Sequence, residues 1–153
     1  MVIVTRYPSN MSGLFKSVVH LRVLNKTVVI HQGLQKKNFD ANQLSHFTGT
    51  ERYYQISRRH LLTDETKYLA EEAECFWMMD AVASHLSEIG TADWFVLVRV
   101  TVQGARATMV YEDGNGHEHA RQEIPFTDFP LDEQTLYACW DGEHWVIMLP
   151  SEY

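Results

Sequence analysis

The chain has 153 residues, 45% of them apolar, 12% aromatic and 22% charged, the make-up of an ordinary globular domain and unlike collagen-like, low-complexity or disordered chains. A chain of this length buries roughly two thirds of its unfolded surface, so its core needs neither disulfide nor metal, and no run approaches the roughly 20 apolar residues of a membrane helix. The formal net charge of −7 is unevenly laid out: Arg6, Lys16, Arg22, Lys26, Lys36 and Lys37 precede Asp40 with no acid, whereas 7 basic residues face 20 acidic ones from Asp40 on.

Residues 1–38 therefore read as a basic extension and 39–153 as a single acidic α+β domain. Three readings of the extension stand side by side. In one, Val18–Leu24 and Thr27–His31 form a hairpin with Val19, Leu21 and Val23 on one side. In another it is a flexible basic arm that touches an acidic partner or its own domain. In the third the start is misassigned and the first residue lies near Leu34. A targeting peptide is set aside, because the segment is poor in Arg and lacks a continuous apolar core with a cleavage site behind it.

Asp40-Ala41-Asn42-Gln43 has the spacing of a capping box and predicts a short helix over Ala41–Phe47. Glu51–Ile56 reads as a brief extended segment. The strongest helical pattern runs from Asp64 to Glu88, with Thr63 and Asp64 as caps and Gly90 just past its end. Leu69, Phe76, Met79, Ala83 and Leu86 form its expected buried stripe, and the glutamates around Ala73 allow a break into two helices there. Beyond Gly90 the period changes to two. Trp94–Val102 is expected as a central strand with Trp94 and the valines on its apolar face. Ala107–Glu112, His117–Ile124, Leu136–Trp140 and His144–Leu149 follow as strands, joined by the turns Asp113-Gly114-Asn115-Gly116 and Asp141-Gly142. The expected fold is a two-layer α+β domain, an antiparallel sheet of about four strands following one or two N-terminal helices.

Several of these stretches also resemble a known group. Phe47-Thr48-Gly49-Thr50-Glu51-Arg52-Tyr53-Tyr54, Leu62-Thr63-Asp64, Lys67-Tyr68-Leu69-Ala70-Glu71, Trp77, Asp80-Ala81-Val82-Ala83-Ser84, Thr127-Asp128-Phe129-Pro130-Leu131 and Leu149-Pro150-Ser151-Glu152-Tyr153 resemble a bacterial domain family of unknown function. Its members are small cytosolic proteins often carried by plasmids, phages and other mobile elements. The resemblance spans about Phe39 to Tyr153 and leaves out the basic segment, which favours the misassigned start. It implies a compact domain in a mobile-element setting and no catalytic residue.

Chemical motifs are sparse. His117-Glu118-His119 supplies two imidazoles where a metal site needs four ligands, so a solvated strand face is preferred and no metal or cofactor is expected. Asp113-x-Asn115-x-His117 departs from a calcium loop, with Glu118 at the glycine position and Ile124 at the bidentate acid. Cys75, beside Phe76, and Cys139 lie in apolar runs and read as reduced core thiols of a cytoplasmic protein. Catalytic signatures such as a P-loop or a dinucleotide fingerprint do not occur.

Tyr53, Tyr54, Lys67, Trp77 and Asp80 make the one candidate binding cluster. A carboxylate beside an indole could be a desolvated acid, or it could accept a hydrogen bond that pins the Thr48–Tyr54 loop to the helix; the second use is preferred.

Direct nucleic-acid binding by residues 39–153 is not expected, since their charge repels phosphate, and no membrane partner is expected either. The leading expectation is a non-catalytic interaction module with an acidic face for a basic protein partner, in one form an accessory or anti-defence factor whose carboxylates occupy a basic nucleic-acid site. That requires carboxylates gathered on one face. The alternatives are a small enzyme or ligand-binding protein using Tyr53, Tyr54, Trp77 and Asp80, and nucleic-acid binding by the basic segment.

Overall fold

The computed structural model describes residues 39, 40, 42, 44 and 50–153, and the backbone of residues 21–23 and 26–28. By contacts the chain divides into two compact units, Met1–Leu34 and Gln35–Tyr153. In the first, β1 (Leu21–Val23) and β2 (Lys26–Val28) pair antiparallel, with Leu21 opposite Val28 and Val23 opposite Lys26. The remaining residues of the expected hairpin lie outside the described residues.

In the second unit, Asp40 Oδ1 accepts a hydrogen bond from the Asn42 N–H at 3.0 Å, and Asn42 and Leu44 sit in 3-10 geometry. The rest of the expected helix Ala41–Phe47, including Gln43, lies outside the described residues. A hairpin of β3 (Tyr54–Ser57) and β4 (His60–Leu62) then leads into helices α1 (Asp64–Glu72) and α2 (Phe76–Ile89). Five strands follow: β5 (Phe95–Gln103), β6 (Arg106–Glu112), β7 (Glu118–Ile124), β8 (Glu133–Trp140) and β9 (Trp145–Met148). A 3-10 turn over Pro150–Glu152 comes after β9.

These strands make one seven-stranded sheet in the order β3-β4-β9-β8-β5-β6-β7. The expected sheet of about four antiparallel strands is thereby corrected: there are seven strands, two precede the helices, and β4 runs parallel to β9, with Leu61 opposite Val146. The physical reason is that β4 has three residues, too few to display a period, and its partner lies more than eighty positions away, beyond any local pattern. The α+β class itself stands.

Both helices lie against one face of the sheet. Val96, Val98 and Val100 of β5, Met109 and Tyr111 of β6 and Leu136 and Ala138 of β8 join Leu69, Met78, Met79, Val82 and Leu86 of the helices in one core. Because side chains alternate along a strand, Phe95 and Leu97 of β5 and Tyr137 and Cys139 of β8, which are cross-strand partners, share the opposite face, which no described helix covers. Each fully buried valine or leucine contributes roughly 1.5–3 kcal/mol as an upper bound.

The helical segment does break at Ala73. Glu74 takes a left-handed φ of 52°, and the Cys75 N–H donates to the Ala70 carbonyl at 2.9 Å, ending α1 and setting a new phase for α2. Phe76, expected in the buried stripe, is accordingly 43% exposed, while Met78 and Val82 are buried in its stead. No described helix is long and apolar enough to cross a membrane.

Candidate functional site

Of the expected cluster, two residues meet directly. Lys67 Nζ lies 4.7 Å from the centroid of the Tyr54 ring and 2.5 Å from Glu71 Oε1. Beside them Asp64 Oδ2 accepts the backbone N–H groups of Glu51 at 2.9 Å and Arg52 at 3.0 Å. Desolvation alone would raise the Asp64 carboxyl, but hydrogen bonds from the Glu51 N–H, the Tyr54 hydroxyl and the Arg52 N–H outweigh it and hold it below its usual value. These contacts pin the chain before β3 to the first turn of α1. Tyr53 is 59% exposed, Trp77 is half-buried on the core, and Asp80 is exposed on α2, so it is no desolvated acid. No hydrogen bond, ion pair or ring contact among the described residues joins Trp77 or Asp80 to Tyr54 or Lys67.

A denser polar knot lies one turn away. Thr63 occupies the N-cap of α1 without capping it through its side chain. Glu152, from the 3-10 turn, does so instead: its Oε1 accepts the Glu65 N–H at 3.2 Å and the Thr50 hydroxyl at 2.7 Å. Its Oε2 accepts the Thr63 hydroxyl at 2.5 Å, the Thr66 hydroxyl at 3.3 Å and the Leu149 N–H at 3.3 Å. A carboxylate at the positive end of a helix, met by amides and hydroxyls, is a favourable pairing. Ser151 donates to Glu65 Oε2 at 2.7 Å, and Glu65 is buried.

Burial raises the Glu65 carboxyl above its ordinary value; the Ser151 hydrogen bond opposes this and the Glu152 charge adds to it. A raised folded-state value means stability that is complete below the unfolded value and is lost as pH rises through the folded one. The expected result is that Glu65→Gln removes this loss. Urea midpoints of wild type and variant, compared between about pH 4 and 8, diverge in the variant's favour as pH rises, whereas a pH-independent difference refutes the assignment.

Both cysteines are free thiols, Cys75 buried and Cys139 partly so. Cys75 sits at the N-cap of α2 rather than mid-helix, a place that favours a thiolate, but burial dominates and pushes its thiol up to about 12. Burial also raises Cys139. The His117 and His119 rings lie with centroids 5.0 Å apart and His119 Nε2 is 3.3 Å from Asp93 Oδ2. No group of three or more His, Cys, Asp or Glu among the described residues is placed to hold a metal ion.

An aromatic concavity of the described surface was not among the expected sites. A shallow cleft of about 460 Å³ opens on the helix-free side at the start of β5, lined by Trp94, Phe95, Tyr137 and Tyr153 together with Asp93 and Asp113. Trp94 was expected on the buried face of its strand, yet β5 begins at Phe95 and Trp94 is 59% exposed. The local signal available was Ala92-Asp93-Trp94-Phe95, two adjacent aromatics behind an acid; nothing local announced Tyr137 or Tyr153.

Among known proteins, residues 23–153 match a family described as a family of unknown function (DUF6876), a span that begins well before Phe39. No curated protein matches. A crystal structure of a protein of unknown function from Enterococcus faecalis is similar at 14% identity and a TM-score of 0.48, covering 65% of this chain and 93% of that one. The match over most of the chain establishes that this protein belongs to the DUF6876 family.

Proposed function

We propose that this protein is a non-catalytic interaction module whose helical layer docks a basic protein partner. The observation that supports the reading is how charge is distributed between the two faces. Between Asp64 and Ile89, Lys67 is the sole Lys or Arg, and Glu71 engages it. On the same helical layer Glu71, Glu72, Glu74, Asp80 and Glu88 are exposed. On the helix-free face, by contrast, arginines and acids pair: Arg99 meets Glu112 at 2.6 Å and Arg121 meets Glu118 at 2.7 Å. A one-signed surface steers a basic protein and disfavours nucleic acid. The reading in which Tyr54, Lys67, Trp77 and Asp80 form a ligand site has less support, because Tyr54 and Lys67 are engaged in holding the chain to α1. In the cytoplasmic, mobile-element setting implied by the sequence resemblance, the partner would be a host protein whose basic nucleic-acid site the carboxylates occupy.

The test uses the full chain as bait in host lysate treated with nuclease, beside a Glu71→Lys/Glu72→Lys/Asp80→Lys variant. The expected result is a retained basic protein whose capture falls on the order of tenfold in the variant and again as salt is raised. Equal capture by both baits, or capture that nuclease abolishes, overturns the reading.

A further inference from the structure

The cleft on the helix-free face lies across the sheet from the acidic helices, and the following inference stands whether or not those helices dock a partner. Its walls are four aromatic rings. The Phe95 ring is the hub, with centroid distances of 5.9 Å to Trp94, 5.2 Å to Tyr137 and 5.8 Å to Tyr153, and Tyr137 lies 5.5 Å from Tyr153. The Phe95–Tyr137 and Phe95–Tyr153 planes meet at 64° and 65° and the two tyrosines at 88°, so the rings meet edge to face and do not stack flat. In edge-to-face packing the edge of one ring meets the face of the next, and the outer rings of the group remain solvent-exposed. Those outer rings, Trp94 at 59% and Tyr153 at 68%, are among the most exposed large side chains described.

The floor of the cleft is supported from the turn after β6. Gly114 has φ +80°, and a Cβ there would come within 3.2 Å of the Phe95 ring, so the turn backbone lies against that ring. Asp113 Oδ1 accepts the Asn115 N–H at 2.7 Å and the His117 N–H at 3.1 Å, which closes the turn and keeps the carboxylate charged. Asp93 lines the same cleft and faces His119. No Lys or Arg among the described residues lines it.

Aromatic rings and two carboxylates, with no Lys or Arg among the described lining residues, are the complement of a cationic group. A nucleic-acid strand would stack on the rings but bring phosphates to Asp93 and Asp113. A quaternary ammonium has no N–H to give those carboxylates. A guanidinium satisfies both features, lying flat on an indole or phenol while its five N–H groups reach carboxylate oxygens in its plane. The cleft is open and shallow, which suits a side chain arriving on a peptide more than an enclosed free metabolite. We infer that this cleft is a recognition site for an arginine side chain presented by an extended peptide segment of a partner protein.

The test is a titration of the ¹⁵N-labelled full chain with a capped Gly-Ser-Arg-Ser-Gly peptide, with the same peptide carrying citrulline, the neutral isostere, and with its lysine counterpart. The arginine peptide is expected to shift the amides of Asp93–Leu97 and Asp113–Gly116, and the citrulline and lysine peptides to bind more weakly. Trp94→Ala, an exposed substitution that leaves the core intact, is expected to weaken arginine binding on the order of tenfold. Equal affinity for arginine and citrulline, or Trp94→Ala without effect, overturns the inference. So does an absence of shifts at millimolar peptide. Shifts confined to the amides of α1 and α2 overturn it while leaving the acidic-face reading intact.

Discussion

Glu152→Ala is expected to destabilise the protein by about 3 kcal/mol, the combined loss of a helix cap and of charge-assisted hydrogen bonds. In a domain of this size that is a fall in Tm of roughly 6–12 °C. The carboxylate holds three stretches that are remote in sequence: Thr50 ahead of β3, Thr63, Glu65 and Thr66 at the start of α1, and Leu149 in its own turn. Removing it leaves the Glu65 N–H at a helix terminus and the buried hydroxyls of Thr63 and Thr66 without their acceptor. Thr63 retains Thr66 Oγ1 at 2.9 Å and the carbonyl of Ile147 at 3.4 Å as other acceptors, which limits the loss. Glu152→Gln keeps one acceptor oxygen without the charge and should cost about half as much. A thermal and urea series on the three proteins decides the matter: a Glu152→Ala loss below about 1 kcal/mol would mean that solvent replaces these contacts.

Three of the stretches quoted for the sequence resemblance meet in this knot. The stretches around Thr50, Thr63–Thr66 and Leu149–Tyr153 read separately as a loop, a helix start and a terminal motif, and in the fold they touch. Local physics made each stretch legible on its own: an acid and hydroxyls at a helix start, and alternating valines that place β5 within one residue of its observed limits. What local physics cannot carry is pairing at long range. The three-residue β4 shows no period, so its parallel ladder with β9 was invisible, and with it the seven-stranded sheet. The same limit hid the aromatic cleft. Trp94 extends the alternation of β5 by one step and was assigned to its buried face, but its carbonyl takes the Trp140 N–H at 2.7 Å just before the strand begins and its ring lies exposed. Phe95, Tyr137 and Tyr153 become one surface only through the pairing of β5 with β8 and the return of the chain after β9.

The two faces of the sheet differ in what covers them among the described residues. One is closed by helices whose outer surface is acidic. The other is covered by no described helix and carries paired charges with the aromatic cleft at one end. The core between them fixes both. Thr63 and Glu152 set where α1 begins, and the turn at Glu74 sets how α2 lies on the valines of β5.

The placement of α2 leads to the second large effect. Met78→Ala is expected to cost about 3 kcal/mol, within the range for truncating a fully buried methionine, and Phe76→Ala less than about 1 kcal/mol. A continuous helix from Asp64 would put Phe76 on the stripe of Leu69 and Met79, and the ranking would then reverse. The left-handed residue Glu74 breaks that continuity, so α2 buries Met78, Met79, Val82, Ala83 and Leu86, spaced as one face of a helix started afresh. Phe76 sits in the first turn at 43% exposure and loses little contact on truncation. Equilibrium urea unfolding of the two variants measures the difference directly, and an equal or larger loss for Phe76→Ala would mean that the helical segment does not change phase at Ala73.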